Sequence, residues 1–123
     1  GELFEGSIWE AIIFASNLKL NNLTIIIDNN KQIVMDKLSD KLKFDFLFKK
    51  MDSFNFNCFE VDGHNIDSLL KVLKKSKIKR NRTNVIICNT IKGKGISFME
   101  GNLKWHHSIP NQEEFIIAKN ELI

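Results

Sequence analysis

The sequence lacks the features that mark membrane proteins, disulfide frameworks and cysteine-bound metals. No run approaches the roughly 18 apolar residues of a membrane-spanning helix, and we expect no membrane partner. The two cysteines, Cys58 and Cys88, lie in separate apolar segments without a Cys-x-x-Cys spacing. That pattern is typical of reduced core thiols in a cytoplasmic protein. No Gly-x-Gly-x-x-Gly or Walker-type loop is present, which argues against a plain nucleotide-binding domain.

The chain also lacks a large excess of positive over negative charge, which argues against nucleic acid as a partner. The net charge is +3, with 27% of the residues charged. Four lysines that crowd one predicted helix are better explained as a solvated face: Lys71, Lys74, Lys75 and Lys77. With 123 residues, 43% of them hydrophobic, and no repeats or linkers, the sequence predicts one domain over residues 1–123 with a real core.

Helices and strands are predicted to alternate along the chain. Helix-type apolar spacing occurs in four segments: residues 7–20, residues 44–54, a segment from Ile66 and a segment after Asn111. Apolar runs predict three strands: residues 23–28, 57–61 and 84–89. Residues 28–41 and 96–110 are predicted to be irregular. This order predicts an α/β fold with a parallel sheet and helices on both faces.

Individual side chains predict how these elements begin and pack. Asn65 and Asn111 are predicted N-caps, the second in a capping box with Glu114. The unbroken isoleucines 25–27 predict a strand covered on both faces. The helix that begins at Ile66 is predicted to bury one apolar stripe: Ile66, Leu69, Leu70 and Leu73.

The first helix is apolar nearly all round, which makes its carboxylate unusual. Trp9, Ile13 and Phe14 add to its main apolar stripe and predict burial on most sides. A carboxylate in such a helix must be paired, protonated or at an interface. Glu10 is therefore either at a solvated edge of the helix or a functional group that faces a partner subunit.

Three loops carry residues suited to an anion or a metal ion. Gly1 and Glu2 precede the first helix, and backbone N–H groups at such a position attract anions. Asn30 follows the first strand and offers a neutral oxygen that suits Mg²⁺. Residues 90–95 follow the third strand with two glycines and two lysines, which is weak support for a phosphate site on its own. The opening loop and the Asn30 loop are expected at one edge of the sheet, since ligands bind beyond the carboxyl ends of the strands.

Five motifs carry a resemblance to a known family over nearly the whole chain. In order they are Gly-Glu-Leu-x-Glu-Gly-Ser-x-Trp-Glu-Ala, Ile-Ile-Asp-x-Asn, Val-Asp-Gly-His, Thr-Ile-Lys-Gly-Lys-Gly-x-Ser-Phe-Met-Glu and Trp-His. They resemble transketolase, and most of all the N-terminal subunit of two-subunit (split) transketolase-like enzymes. The chain opens without a methionine or lead-in, so we expect a piece of a longer polypeptide.

The resemblance implies a fold, cofactors, an activity and a partner. The fold would be the thiamine diphosphate-binding fold, with this chain its diphosphate-binding domain, truncated at the N-terminus. Thiamine diphosphate and Mg²⁺ would be the cofactors. The activity would be transfer of a two-carbon ketol (glycolaldehyde) unit from a ketose to an aldose, both sugars or sugar phosphates. The partner would be a C-terminal, pyrimidine-binding subunit in a homo- or hetero-oligomer, and the chain alone is expected to be inactive.

The resemblance also assigns ligands at the diphosphate end of the cofactor. The backbone N–H groups of Gly1 and Glu2 would face the diphosphate. Asn30 and the backbone carbonyl of Gln32 would hold Mg²⁺, with Asn29 as the nearest competitor. The family places a further metal-binding aspartate directly before the glycine that Gly1 matches, and that residue is absent from this chain.

The resemblance also assigns residues that concern catalysis. His106 matches a histidine that contacts the diphosphate and the substrate, and His107 is the alternative to it. Glu5 and Glu10 match glutamates that relay protons between active sites across a dimer interface, or that only shape that contact. Lys92 is expected near the cofactor.

The alternatives are other thiamine diphosphate enzymes and a degenerate module. Deoxyxylulose-phosphate synthase and the first component of a 2-oxo-acid dehydrogenase are both disfavoured by the Glu-Gly-Ser-x-Trp-Glu and Trp-His segments. A non-catalytic, partner-binding module is favoured by the missing aspartate and disfavoured by the retained residues Glu5, Glu10, Asn30 and His106.

His64, in the Val-Asp-Gly-His motif, is interpreted as a structural turn residue.

Overall fold

The chain contains a small set of strands and helices that alternate as predicted. The computed structural model describes residues 1–33, 46–78 and 81–123, together with the backbone of residues 36–37. The described strands are β1 (Thr24–Asn29), β2 (Gln32–Ile33), β3 (Asp36–Lys37), β4 (Asn57–Asp62) and β5 (Asn84–Asn89). The described helices are α1 (Gly6–Asn17), α2 (Leu47–Ser53), α3 (Ile66–Ile78) and α4 (Gln112–Glu121), with 3₁₀ turns at Glu2–Phe4 and Leu103–His106.

Three strands form a parallel sheet in the order β1-β5-β4. β1 pairs with β5 from Thr24 opposite Asn84 to Asn29 opposite Asn89. β4 pairs with the other side of β5 and ends with Asp62 opposite Asn89. All three carboxyl ends therefore meet at one edge, and the predicted parallel sheet is confirmed.

Helices cover both faces of this sheet, as predicted. On one face, α1 and α2 pack on β1 and β5 through one cluster: Ile12, Ala15, Leu47 and Met51 with Ile27, Val85 and Ile87. On the other face, α3 packs on β4 and β5 through a second cluster: Leu69 and Val72 with Val61, Ile86 and Cys88. Met51, Val85, Ile86 and Ile87 are almost fully buried. Burying one such side chain contributes about 1.5–3 kcal/mol, so β5 is the centre of the core.

One face of β1 and one side of α1 are open in the described chain, which contradicts the predicted burial. Ile26 is 61% exposed and Phe14 is 63% exposed. β1 is an edge strand, and the cluster that α3 forms on β4 and β5 does not include Ile26. The periodicity correctly predicted apolar elements but not which of their sides is covered.

The predicted stripe of α3 is also partly wrong. Leu69 packs on the sheet, but its neighbour there is Val72. Ile66, Leu70 and Leu73 are exposed. The buried side of α3 is therefore rotated from the predicted one, toward Val72 and Ser76.

Left-handed residues set two helix boundaries that the sequence did not predict. α1 ends before residue 20 because Lys19 has φ 52° and the Leu20 N–H donates to the Ala15 carbonyl at 3.2 Å. That bond closes the helix as a Schellman-type cap. α2 begins at Leu47 because Phe46, with φ 61°, cannot continue a right-handed helix toward the N-terminus.

The predicted loop over residues 28–41 is partly strand. Its first two residues belong to β1, and β2 pairs with β3 in an antiparallel hairpin. Residues 34–35 and 38–45 lie outside the described residues, and so does the start of the second helix predicted at residue 44. The 3₁₀ turn at Leu103–His106 likewise lies in a stretch predicted to be irregular.

Both predicted N-caps are confirmed. The Asn65 Oδ1 accepts from the Ser68 N–H at 2.9 Å. In the capping box, Asn111 Oδ1 accepts from the Glu114 N–H at 2.9 Å and Glu114 Oε2 accepts from the Asn111 N–H at 2.8 Å. Each cap satisfies a backbone donor that a helix end leaves unpaired.

The two cysteines are not joined in a disulfide, as predicted. Cys58 is half-buried and Cys88 is buried. Desolvation, and then the nearby Asp28 carboxylate, raise the pKa of the Cys88 thiol, which makes it a poor nucleophile at neutral pH. Among the described residues, no helix has the length and hydropathy that a membrane span requires.

Candidate functional site

A small cavity lies at the edge where the carboxyl ends of the strands meet. It has a volume of 90 Å³ and is lined by Gly1, Asn30, Gln32, Ile33, Lys92, Leu103 and His106. The parallel topology brings these residues together from four separate segments. The opening loop and the Asn30 loop therefore adjoin, as predicted, and the loop after β5 and the 3₁₀ turn join them.

The structure separates Asn30 from its competitor Asn29. Asn29 Nδ2 donates to Asn89 Oδ1 at 2.7 Å, and Asn89 Nδ2 donates to Glu60 Oε1 at 2.8 Å. Asn29 is thus tied into a side-chain ladder across the strand ends and does not line the cavity. Asn30 lines it, and its Oδ1 accepts from the Gln32 N–H at 2.9 Å. The geometry favours Asn30 as a ligand, and its binding of a metal stays a prediction.

Gln32 joins β2 to the loop that follows β5. Its Nε2 donates to the Gly101 carbonyl at 2.8 Å. Its Oε1 is buried and accepts no hydrogen bond within the described part of the chain. A buried amide oxygen without a donor is costly, so the Gln32 side chain carries one unsatisfied acceptor within the described part of the chain. The sequence pointed to the Gln32 carbonyl but not to this side-chain contact.

Lys92 and His106 form a direct contact at the cavity. Lys92 Nζ lies 3.1 Å from His106 Nδ1. An ammonium only donates, so Nδ1 accepts and the neutral imidazole carries its proton on Nε2. Desolvation, then the Lys92 charge and then His107, lower the pKa of His106. At neutral pH His106 is therefore an uncharged donor beside a fixed cation.

Of the two adjacent histidines, His106 is the one at the cavity. His107 packs edge-on against it, with ring centroids 4.4 Å apart, and does not line the cavity. The sequence left the choice between them open. In the structure His106 is the last residue of the 3₁₀ turn and His107 is the residue after it.

Gly1 and Glu2 lie in the opening turn beside this cavity. A Cβ atom at Gly1 would meet nothing within 4 Å, so the space beside its backbone is open. Glu2 does not line the small cavity but lines a larger, mostly apolar cavity of 480 Å³, between α1 and the edge of β1. The structure thus places Gly1 at the junction of the two cavities and Glu2 in the larger one.

Glu5 and Glu10 are not brought to the cavity. Both are exposed, at and near the start of α1. Glu10 precedes Ile13 and Phe14 by three and four residues, so these three side chains share the exposed side of the helix. The exposure of Glu10 agrees with both alternatives, a solvated edge of the helix and a surface that faces a partner. Its predicted part in a relay stays a prediction.

The loop after β5 is fixed by contacts that the sequence did not predict. His64 Nε2 accepts from the Ile91 N–H at 2.7 Å, which agrees with the interpretation of His64 as a turn residue. Gly93 has φ 74°, and a Cβ atom there would lie 2.6 Å from the Met99 carbonyl oxygen. Only glycine fits at this position, so the glycine sets the path that brings Lys92 to the cavity.

The donor set indicates what the cavity could hold. Within the described ranges, no group of three or more His, Cys, Asp and Glu side chains could bind a metal ion. The oxygens of Asn30 and Gln32 instead suit a hard cation that shares its coordination sphere with a bound anion. A lysine, an imidazole donor and open backbone suit that anion.

Comparison with known proteins decides the family. A family model described as the thiamine diphosphate-binding domain of transketolase matches residues 1–122. The chain belongs to the transketolase family. One subunit of the apulose-4-phosphate transketolase of Actinobacillus succinogenes is 42% identical over 122 residues, which are 99% of this chain and 44% of that protein. The 6-deoxy-6-sulfo-D-fructose transketolase subunit SqwG of Clostridium sp. (strain MSTE9) is 34% identical over 122 residues, again 99% of this chain and 44% of the relative.

The fold agrees with solved transketolases. The crystal structure of transketolase from Campylobacter jejuni matches with a TM-score of 0.89 and 25% identity, over 99% of this chain and 19% of that chain. The predicted resemblance to the N-terminal subunit of split transketolases and the predicted fold class are confirmed. The chain spans less than half the length of the two subunits that it matches.

Proposed function

We propose that this chain is the diphosphate-binding part of a transketolase that transfers a two-carbon ketol unit from a ketose to an aldose. The observation that carries the proposal is the convergence of Gly1, Asn30, Gln32, Lys92 and His106 on one cavity at the carboxyl ends of a parallel sheet. When bound, thiamine diphosphate supplies the nucleophilic carbon that breaks and re-forms the carbon–carbon bond. The residues of this chain bind and orient that cofactor.

Mg²⁺ would be held at Asn30 and Gln32. Asn30 Oδ1 and the Gln32 carbonyl are neutral oxygens, which suits a site where the diphosphate supplies the negative charge. The family aspartate before the matched glycine would complete the protein ligands. Proton transfer has no part in this assignment, because neither oxygen titrates near neutral pH.

Lys92 and His106 would bind the anionic end of the cofactor and the substrate. Lys92 keeps its charge when it donates to His106, and it retains further N–H groups for a phosphate oxygen. His106 lines the cavity, and its Nε2 proton would be the one that can hydrogen-bond an oxygen and be moved during the reaction. Its lowered pKa favours this neutral, donating form.

The remaining assignments concern assembly. Glu5 and Glu10 would meet carboxylates of a partner across a dimer interface, because both are exposed and Glu10 shares the exposed side of α1 with Ile13 and Phe14. A C-terminal subunit would supply the pyrimidine-binding site. The names of two relatives, each one subunit of an apulose-4-phosphate transketolase, support a partner subunit. The substrates would be sugars or sugar phosphates, and the complex would be cytoplasmic. Without the partner, the chain would be inactive.

Calorimetric titration tests the cofactor site. Thiamine diphosphate and Mg²⁺ are titrated into the full-length subunit mixed with its partner, as wild type, Asn30→Ala and Asn22→Ala. We expect Asn30→Ala to abolish Mg²⁺-dependent binding, because the metal loses a side-chain ligand. The control Asn22→Ala, in an exposed turn before β1, should bind as wild type does.

Two outcomes would contradict the proposal. Wild-type affinity in Asn30→Ala would remove this residue from the metal site. If the wild-type complex, with its complete opening segment present, bound no cofactor, the chain would be interpreted as a degenerate partner-binding module and not as part of an enzyme.

A further inference from the structure

The C-terminal end of α4 is fastened to the loop that carries Lys92. Glu121 Oε2 accepts from the Ser97 N–H at 2.6 Å, and Glu121 Oε1 accepts from the Ser97 hydroxyl at 2.5 Å. Both carboxylate oxygens thus bind one residue, in a bidentate arrangement. These two bonds also lower the pKa of Glu121, so the carboxylate stays charged and accepting at neutral pH.

The loop that Ser97 belongs to is internally braced. We call residues 91–106 the site loop. The Gly101 N–H donates to the Lys92 carbonyl at 2.9 Å, which closes its first part. The Trp105 indole donates to the Phe98 carbonyl at 3.0 Å, and the two rings pack with centroids 5.1 Å apart. Ser97 lies within the part that the first contact closes and directly before the part that the second closes. Fixing Ser97 therefore restrains a loop that is already tied to Lys92 and to the turn that ends at His106.

α4 has few other contacts with the described chain. Ala118 is its buried residue, while Phe115 and Ile116 are about half exposed. Glu114 lies 4.0 Å from Lys104, in the 3₁₀ turn. The helix thus has polar contacts with the site loop at two points, one near His106 and one at Ser97. The Ser97 contact is the shorter and the better oriented of the two.

We propose that Glu121 is a positioning residue: it fixes Ser97 and so holds Lys92 and His106 in the arrangement that binds the diphosphate of the cofactor. The inference rests on the proposed function, because it assigns the site loop to the cofactor site. Glu121 does not line the cavity and touches neither Lys92 nor His106. Its action is to reduce the ordering that the loop must undergo when the anion binds.

This role predicts an effect on affinity rather than on turnover. Once the diphosphate is bound, its own contacts hold Lys92 and His106, so the saturated enzyme has its cationic and donor groups in place. Before binding, a loosened loop must be ordered at the expense of binding free energy. Because Ser97 and Glu121 are exposed, the loss should be modest, about fivefold in cofactor affinity.

The test uses the full-length subunit with its partner. Glu121→Ala and Ser97→Ala break the contact from its two ends, and Ser97→Ala does so without altering α4. Glu113→Ala is the matched control, since it removes a carboxylate from an exposed position in the same helix. Ser97→Thr keeps the hydroxyl and should restore wild-type behaviour. Calorimetry gives cofactor affinity, hydrogen exchange reports on residues 91–106, and turnover is measured at saturating cofactor.

We expect weaker cofactor binding and faster exchange in Glu121→Ala and Ser97→Ala, with turnover near wild type. The double variant should be no worse than either single variant, because both remove one interaction. Wild-type affinity in both single variants would overturn the proposal, and so would losses that add in the double variant or appear equally in Glu113→Ala. A wild-type complex that does not bind the cofactor overturns the proposed function as well, which distinguishes the two failures.

Discussion

β1 and β5 are neighbouring strands with similar sequences and very different surroundings. One reads Thr-Ile-Ile-Ile-Asp-Asn and the other Asn-Val-Ile-Ile-Cys-Asn, and they pair in register along their whole length. Five residues of β5 are buried, whereas in β1 only Ile27 is. An unbroken apolar run therefore predicts that a strand can be covered on both faces. Its place in the sheet decides whether the described chain covers it.

The largest expected difference is between Ile86 and Ile26, which lie side by side. Ile86→Ala should destabilise the chain by about 2–5 kcal/mol, because it opens a cavity in a core where Ile86 is almost fully buried. Ile26→Ala should cost well under half of that in the same chain, since Ile26 is 61% exposed. Urea unfolding of both variants gives the two free energies. Equal losses would show that Ile26 is covered in solution.

Substitutions after β5 and after β1 should change the free energy of unfolding in different directions. Gly93 (φ 74°) faces the Met99 backbone at 2.6 Å from its Cβ position, so Gly93→Ala should destabilise by about 1–3 kcal/mol through strain and contact. Lys31 has φ 61° and is exposed, so Lys31→Gly should be neutral or stabilising by up to about 1 kcal/mol. Thermal unfolding compares them. Stabilisation by Gly93→Ala would contradict the assigned conformation.

The side-chain ladder across the strand ends should contribute less to stability than the core or the glycine turn does. Asn89→Ala removes both the bond from Asn29 at 2.7 Å and the bond to Glu60 at 2.8 Å. We expect a loss of about 1 kcal/mol, because the groups are partly exposed and water replaces the lost partners. The same urea experiment measures it. A loss as large as that of Ile86→Ala would mean that the strand ends, rather than the core, dominate the stability of the sheet.

Lys92→Met should have the smallest effect on stability. It should instead change the pKa of His106. The Lys92 charge disfavours the imidazolium form of His106 and lowers its pKa. Removing that charge should raise the pKa of His106 toward its usual value, while desolvation still holds it down. NMR titration of the His106 ring measures this shift, with His106→Gln to assign the signal. A lower pKa in the variant would contradict the sign.

Much of the sheet followed from the sequence, because its determinants are local. The bounds of β5, both N-caps and the parallel order depend on apolar runs, cap residues and alternation along the chain. The left-handed Phe46, the open side of Ile26 and the rotated face of α3 depend on packing between distant segments. Periodicity carries no information on those contacts.

In the candidate site, too, some features could be predicted from the sequence and others depend on contacts between distant segments. The order of the elements placed Gly1 and Asn30 at one edge of the sheet, the resemblance added His106, and the structure brings all three to one cavity. The resemblance favoured Asn30 over Asn29, but neighbouring residues could not show why, nor decide between His106 and His107, because each choice depends on the contacts that the side chain makes. The Ser97–Glu121 contact spans 24 positions and has no local signal.

The two tryptophans give the chain an optical probe on each side of the cavity. Trp9 Nε1 donates to the Leu3 carbonyl at 2.8 Å in the opening turn, and Trp105 Nε1 donates to the Phe98 carbonyl at 3.0 Å in the site loop. Both indoles are partly buried and are hydrogen-bonded to the opening turn and the site loop, two segments that contribute residues to the cavity. Their ultraviolet emission should therefore change when either segment shifts, so ligand arrival could be followed in real time without a dye or a label.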